Sequence, residues 1–277
     1  MPTSIDKNAI LDKLHQLPVM PMAVREVMSS FRNANVGSAI MAQKIELDQG
    51  LSARVLRVAN SSFYGLSREV GSIQAAVTVL GFDTIRSLVV SAGFTQAFPA
   101  TKDSKFDRHA YWTRSFRVAS YTEALAQCLG GPRQLSFTSG LFYDVGQLVL
   151  SICIPEKFAE IVVQQQQSGL SLIEVEHSVL GFDHAEIGAE MAKRWNFPPD
   201  IEHAIHFWRV PEHEPYQPIN GLVYVAVLLE SGLKGEALIG KVPRKLRERM
   251  QLSWQRIEPG LPQPDQLDAV VQLMLAE

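Results

Sequence analysis

The sequence predicts an all-helical protein with two helical lobes, and three observations predict it. Apolar residues recur at three- and four-residue spacing along most of the chain. No stretch alternates with period two long enough to build a sheet. Capping residues, glycines and prolines punctuate the apolar runs where helices should start and stop.

Ile5, Ile10, Leu11 and Leu14 open the chain at helical spacing, and Leu17-Pro18 with Pro21 breaks it. A helix resumes from Met22 to Phe31 with Val24, Val27, Met28 and Phe31 on one face. Val36-Gly37-Ser38 caps the next, which carries Ile40, Met41, Ile45 and Leu47. Asp48 then caps a helix in which Leu51, Val55 and Val58 share a face, while Arg54 and Arg57 sit three apart on the other side. Asn60-Ser61-Ser62 ends that helix, and Phe63-Tyr64-Gly65 is a loop with exposed or docking aromatics. Ser72 starts a helix that Gly81 stops, and Asp83 is expected to cap the one after it.

Pro99–Ser104 is polar and small, which makes it the candidate boundary between an N-terminal lobe, residues 1–100, and a C-terminal lobe with an extension, residues 101–277. A long helix follows from about Phe106 to Leu129, closed by Gly130-Gly131-Pro132. Further helices are expected over Gln134–Tyr143, Val145–Ile152, from Pro155 to the glutamine run Gln164–Gln167, and over Ser171–Leu180, Asp183–Trp195 and Pro199–Arg209. Ile219–Leu229 is apolar enough to be buried, and the basic residues Lys241, Arg244, Lys245, Arg247 and Arg249 read as a charged surface helix.

The 277 residues are 46% hydrophobic, which supplies a full core without disulfides or structural metal. The formal net charge of −3 argues against broad nucleic-acid binding. Cys128 and Cys153 lie in apolar helical stretches with no CxxC partner, as expected of reduced cysteines in a cytoplasmic protein. Met1–Ile10 has neither an apolar run nor a basic leader, and no apolar stretch approaches the roughly 18 residues of a membrane span.

The chemistry concentrates at Ser139–Leu150, where the polar pair Tyr143-Asp144 sits in an apolar context. A buried carboxylate left unpaired costs roughly 1–3 kcal/mol or more, so Asp144 needs a partner: a metal, a histidine, an arginine or a backbone amide. His184, His203 and His206 are the histidines best placed to matter. No phosphate-binding loop, nucleophile elbow, HExxH or EF-hand loop is present.

Taken in order, these pieces resemble the HDOD family, relatives of the HD and HD-GYP phosphohydrolases found in bacterial signalling proteins. The resemblance is carried by Leu17-Pro18 with Pro21, Asp48–Leu51 running on to Ala59-Asn60-Ser61, Phe63-Tyr64-Gly65, and Ser72-Ile73 leading to Leu80-Gly81. Trp112, Gly140–Gly146, His184 with Ile187-Gly188, Trp195 with Pro198, and Ala204-Ile205-His206 continue it. The match runs from about residue 14 to about 230.

The resemblance implies a helical core of HD type with a degenerate site. Where the hydrolases carry their ligands, this chain has Arg114, Tyr143, Asp144, His184, His206, Phe207 and Val227. Only Asp144, His184 and His206 keep ligand chemistry and could hold a metal. An arginine cannot ligate, repels cations and pairs with carboxylates. The expectation is an Arg114–Asp144 ion pair, with no metal, no cofactor and no catalysis. The implied function is a cytoplasmic regulatory module that binds signalling proteins, with Arg54, Arg57, Asn60 and Ser61 as a candidate contact surface. Two alternatives stand beside it: a metal-dependent phosphohydrolase acting on a nucleotide or phosphodiester, and a ligand-sensing pocket in which Arg114 binds an anion such as a nucleotide. Partner, pathway and oligomeric state are not legible.

Overall fold

Asp48, Ser72, Asp107 and Asp183 each accept a hydrogen bond from the backbone amide three residues on. At Ser171 the bond is reciprocal, because Glu174 reaches back to the Ser171 amide in a capping box. These side chains start five of the helices that make up the chain. The computed structural model describes residues 6–31, 37–61, 64–99 and 106–275, and among these residues no strand occurs.

The first helices are α1 (Lys7–Lys13), α2 (Met22–Ser30), α3 (Ser38–Glu46), α4 (Gln49–Ala59), α5 (Ile73–Leu80) and α6 (Phe82–Ala97). The central group is α7 (Arg108–Leu129), α8 (Arg133–Phe142), α9 (Val145–Cys153), α10 (Pro155–Ser168), α11 (Leu172–Leu180), α12 (His184–Arg194) and α13 (Pro199–Phe207). The chain ends with α14 (Pro218–Glu230), α15 (Gly235–Lys241), α16 (Arg244–Met250), α17 (Trp254–Ile257) and α18 (Pro264–Leu275). The architecture is all-α, as the spacing predicts. None of these helices is long and apolar enough to cross a membrane.

The longest helix, α7, is the spine. It packs along α8 and α14, while α12 packs against α9 and α13. One apolar cluster joins Val24, Leu88 and Phe94 of the first helices to Trp112, Phe142 and Phe197. Phe94 contacts Phe142 at 4.3 Å and Trp195 at 5.4 Å between ring centroids, so the early helices brace the segment that carries Asp144. A second cluster gathers Val118, Tyr143, Trp208, Val223, Leu246 and Ile257 on the far side of α7. The C-terminal α18 returns to pack on α7, α4 and α6, and Asp268 pairs with Arg117 at 2.5 Å.

One cap differs from the sequence expectation. Helix α6 begins at Phe82 with Gly81 as its N-cap, and Asp83 lies inside the first turn, paired with Arg86. Gly81 (φ 87°) turns the chain directly from α5 into α6, which leaves no room for a separate capping residue. Ile5, Val36, Ser62, Phe63 and most of the expected boundary at Pro99–Ser104 lie outside the described residues. Both cysteines are free, and Cys153 is buried.

Candidate functional site: an ion-paired aspartate

Asp144 occupies the N-cap of α9, yet its side chain caps nothing. Tyr143 and Asp144 form the two-residue joint between α8 and α9, and this joint turns the Asp144 carboxylate into the protein, where it is 4% exposed. There Oδ1 accepts from His184 Nε2 and from an Arg209 Nη, each at 3.0 Å. Oδ2 accepts from the Gln147 amide and lies 3.7 Å from an Arg114 Nη. Gln147 also accepts from Arg114 at 3.4 Å, so it bridges the two.

His184 is fully buried as the first residue of α12. Its Nδ1 lies 2.6 Å from an oxygen of Glu176, which also accepts from the His184 backbone amide at 3.0 Å. Glu176 is itself fully buried on α11. Gly181 ends α11 in the left-handed region (φ 83°), and the reversal returns His184 onto Glu176. With a carboxyl group at each ring nitrogen, His184 has an acceptor for a proton on both, an arrangement that favours the imidazolium. Burial opposes that charge, but Asp144 and Glu176 outweigh it and raise the His184 pKa from 6.5 to about 9. Burial likewise opposes the charge on Asp144, and Arg209, His184 and Arg114 overcome it, holding the carboxyl well below the usual carboxylate range.

The site therefore sets three cations, His184, Arg209 and Arg114, against two carboxylates, Asp144 and Glu176. These residues do not fit a divalent metal. His184 spends Nε2 on a proton shared with Asp144, where a ligand needs a lone pair. Two guanidiniums flank the carboxylate that a metal would use. Tyr143 is buried edge-on against Trp208 at 5.1 Å, and burial followed by the charge of Asp144 pushes its hydroxyl well above the normal range. No reaction step through a metal follows from this donor set.

Asp144 is paired with His184 and Arg209 at 3.0 Å each, and Arg114, the arginine expected from sequence, lies farther off at 3.7 Å. His206 and Phe207 do not join the centre. His206 is exposed and stacks on Phe207 at 4.2 Å, and Phe207 stacks on His213 at 3.8 Å. The reason is helical phase: Ile201, Ala204 and Ile205 take the inward face of α13, which leaves His206 outward. The turn after α13 delivers Arg209 instead, its guanidinium 4.0 Å above the Trp208 ring. Val227 is half-buried on α14 among the apolar residues of the second cluster.

Sequence reasoning also missed Glu176. A signal existed, since Glu176 lies four residues from both Leu172 and Leu180, in phase with the apolar face of α11. Among the surface candidates, Arg57 is exposed and Arg54 reaches Thr95 at 3.4 Å. Asn60 is occupied, because its amide accepts from Val70 N at 2.8 Å and donates to Val70 O at 2.9 Å. Ser61 is half-buried beside it. A separate group, His177, Asp183 and Glu186, holds its ligand-type atoms within 4.8 Å of one another, with Asp183 capping α12 and Lys7 paired to Glu186.

The HDOD domain model matches residues 17–211, and the chain belongs to the HDOD domain family. Solved structures agree with the fold. A Shewanella amazonensis protein provisionally named a phosphohydrolase superposes with a TM-score of 0.80 at 28% identity, over 97% of this chain and 98% of its own. An HDOD domain protein of unknown function from Geobacter sulfurreducens gives 0.73 at 25% identity, over 96% and 92%. An uncharacterised Treponema pallidum protein is 26% identical over 242 residues, 86% of this chain, and the match spans about half (47%) of that relative's length.

Proposed function

We propose that this chain is a cytoplasmic regulatory module of bacterial signal transduction that acts through contacts with other proteins, and that its HD-type centre is non-catalytic. The observation that supports this most is the Asp144 carboxylate, whose oxygens are taken by His184, Arg209 and Gln147 with Arg114 behind them. Three of the roughly four acceptor positions of this carboxylate are taken, and the Arg114 guanidinium stands 3.7 Å from Oδ2, which disfavours a metal cation there and weakens the carboxylate as a base. What remains is a cross-link: Asp144 ties α9 to α12 and to the end of α13, and Glu176 extends the tie to α11. Rigid helices held this way suit a docking scaffold. In an affinity capture from a bacterial lysate, the reading expects specific partners with wild type, retained or weakened with a folded Asp144→Asn variant. No specific partner with wild type, or phosphodiester hydrolysis by wild type that Asp144→Asn abolishes, contradicts it.

The second reading, a phosphohydrolase, draws on the name given to the Shewanella amazonensis protein. It requires His184 to lose its shared proton and both arginines to withdraw from Asp144. A generic phosphodiesterase assay with added manganese separates the two.

A further inference from the structure

Beside Arg114 the surface opens into a cleft of about 720 Å³, within the size range of small-molecule sites. It runs from the N-terminus of α7 to the side of α10. We propose that this cleft binds a phosphate monoester carried on a planar ring.

The anionic end follows from the arginines. Arg108 is the first residue of the 22-residue α7, where the helix dipole favours negative charge. One Nη of Arg108 donates to Pro99 O at 3.1 Å, but its buried Nε–H has no acceptor among the described residues. The buried Nε–H of Arg114 has none among them either. Arg114 is also the surplus cation of the ion-paired centre: Asp144 is already met at 3.0 Å by His184 and Arg209, against 3.7 Å for Arg114. Its side chain is 39% exposed, so a phosphate entering the cleft can reach it.

The lining also limits the charge. Asp107, which caps α7, and Glu156 both line the cleft, and neither has an ion-pair partner among the described residues. Two carboxylates beside two arginines limit the negative charge the cleft accepts, which penalises a triphosphate more than a monoester. The ring end follows from Phe106, which is half-buried in the cleft lining and is backed by the buried rings of Tyr111 and Phe158 at 5.6 and 5.7 Å between centroids. With the half-buried Ile152, Val162 and Leu172 it offers an apolar wall against which a planar group can pack. Gln165 and Gln166 on α10 add amides that both donate and accept, as polar ring edges require. This site stands or falls apart from the protein-contact reading, because neither needs the other.

The test is titration calorimetry on the full chain with phenyl phosphate, adenosine monophosphate, adenosine, adenosine triphosphate and inorganic phosphate. Expected is binding of at least one of the two ring-bearing monophosphates. Adenosine, the triphosphate and inorganic phosphate should each bind about tenfold more weakly or worse, a difference of about 1.4 kcal/mol. Arg108→Gln should weaken the monoester by a similar factor. Ala159→Trp, which fills the cleft from α10, should abolish its binding. If Ala159→Trp fails to fold, Arg108→Gln decides. Absence of binding by both monophosphates at millimolar concentration overturns the proposal. So does inorganic phosphate binding as well as they do, or an affinity that Arg108→Gln leaves unchanged.

Discussion

Gly146 and His184 touch backbone to backbone: a Cβ on Gly146 would overlap the carbonyl oxygen of His184. Gly188, one turn on from His184, would place its own Cβ 3.0 Å from the Gly146 nitrogen. This glycine crossing lets α9 and α12 approach closely enough for His184 to reach Asp144. Gly146→Ala should force the two helices apart and destabilise the protein by about 2–3 kcal/mol in urea unfolding. Gly240→Ala in α15, where the added methyl meets nothing within 4 Å, should instead be neutral or slightly stabilising. Equal effects of the two substitutions would contradict the crossing.

The arginines should differ in weight. Asp144→Asn strands three buried or half-buried cations and should cost about 3 kcal/mol. Arg209→Met removes the nearer partner and its packing on Trp208, at a cost of about 2 kcal/mol. Arg114→Met removes a longer, more exposed pair and should cost about 1 kcal/mol or less. Denaturation midpoints rank them, and an Arg114 effect larger than that of Arg209 would restore the pairing expected from sequence.

Stability should depend on pH through His184. Below pH 6.5 the histidine is protonated in folded and unfolded chains alike, and its contribution is fully present. Between pH 6.5 and about 9 the unfolded chain loses the proton while the folded chain keeps it, so stability falls as pH rises. The slope is at most about 1.4 kcal/mol per pH unit, for a total near 3 kcal/mol. Asp144 acts in the opposite sense: its contribution is present above the ordinary carboxylate range and is lost only as pH falls through its depressed value. An NMR titration of the His184 ring checks the first statement, with a midpoint near 6.5 as the contrary result. Glu176→Gln, which removes one of the two carboxylates, should lower that midpoint by about one unit.

Much of this molecule was legible because caps are local. Asp48, Ser72, Asp183 and Gly81 mark helix ends by chemistry within four residues, and the structure places ends there. Asp144 and His184 were legible as candidate site residues because each sits in a stretch that carries the family resemblance. Arg209 was not, since it lies 65 residues from Asp144 and reaches it only through the turn after α13. His206 was misplaced for the related reason that a motif position does not fix the phase of the helix carrying it. The return of α18 to the first helices is a long-range packing event that no local pattern in its own residues announces.

The central claim is that Asp144 is held by cations and not by a metal. Its most direct test is metal analysis by plasma mass spectrometry after the protein is equilibrated with manganese, iron, magnesium and zinc salts and desalted. Wild type, Asp144→Asn and His177→Ala are compared, the last to account for the surface group formed with Asp183 and Glu186. The account predicts that Asp144→Asn retains as much metal as wild type, whatever that amount is. Stoichiometric metal in wild type that is lost in Asp144→Asn and kept in His177→Ala would contradict it.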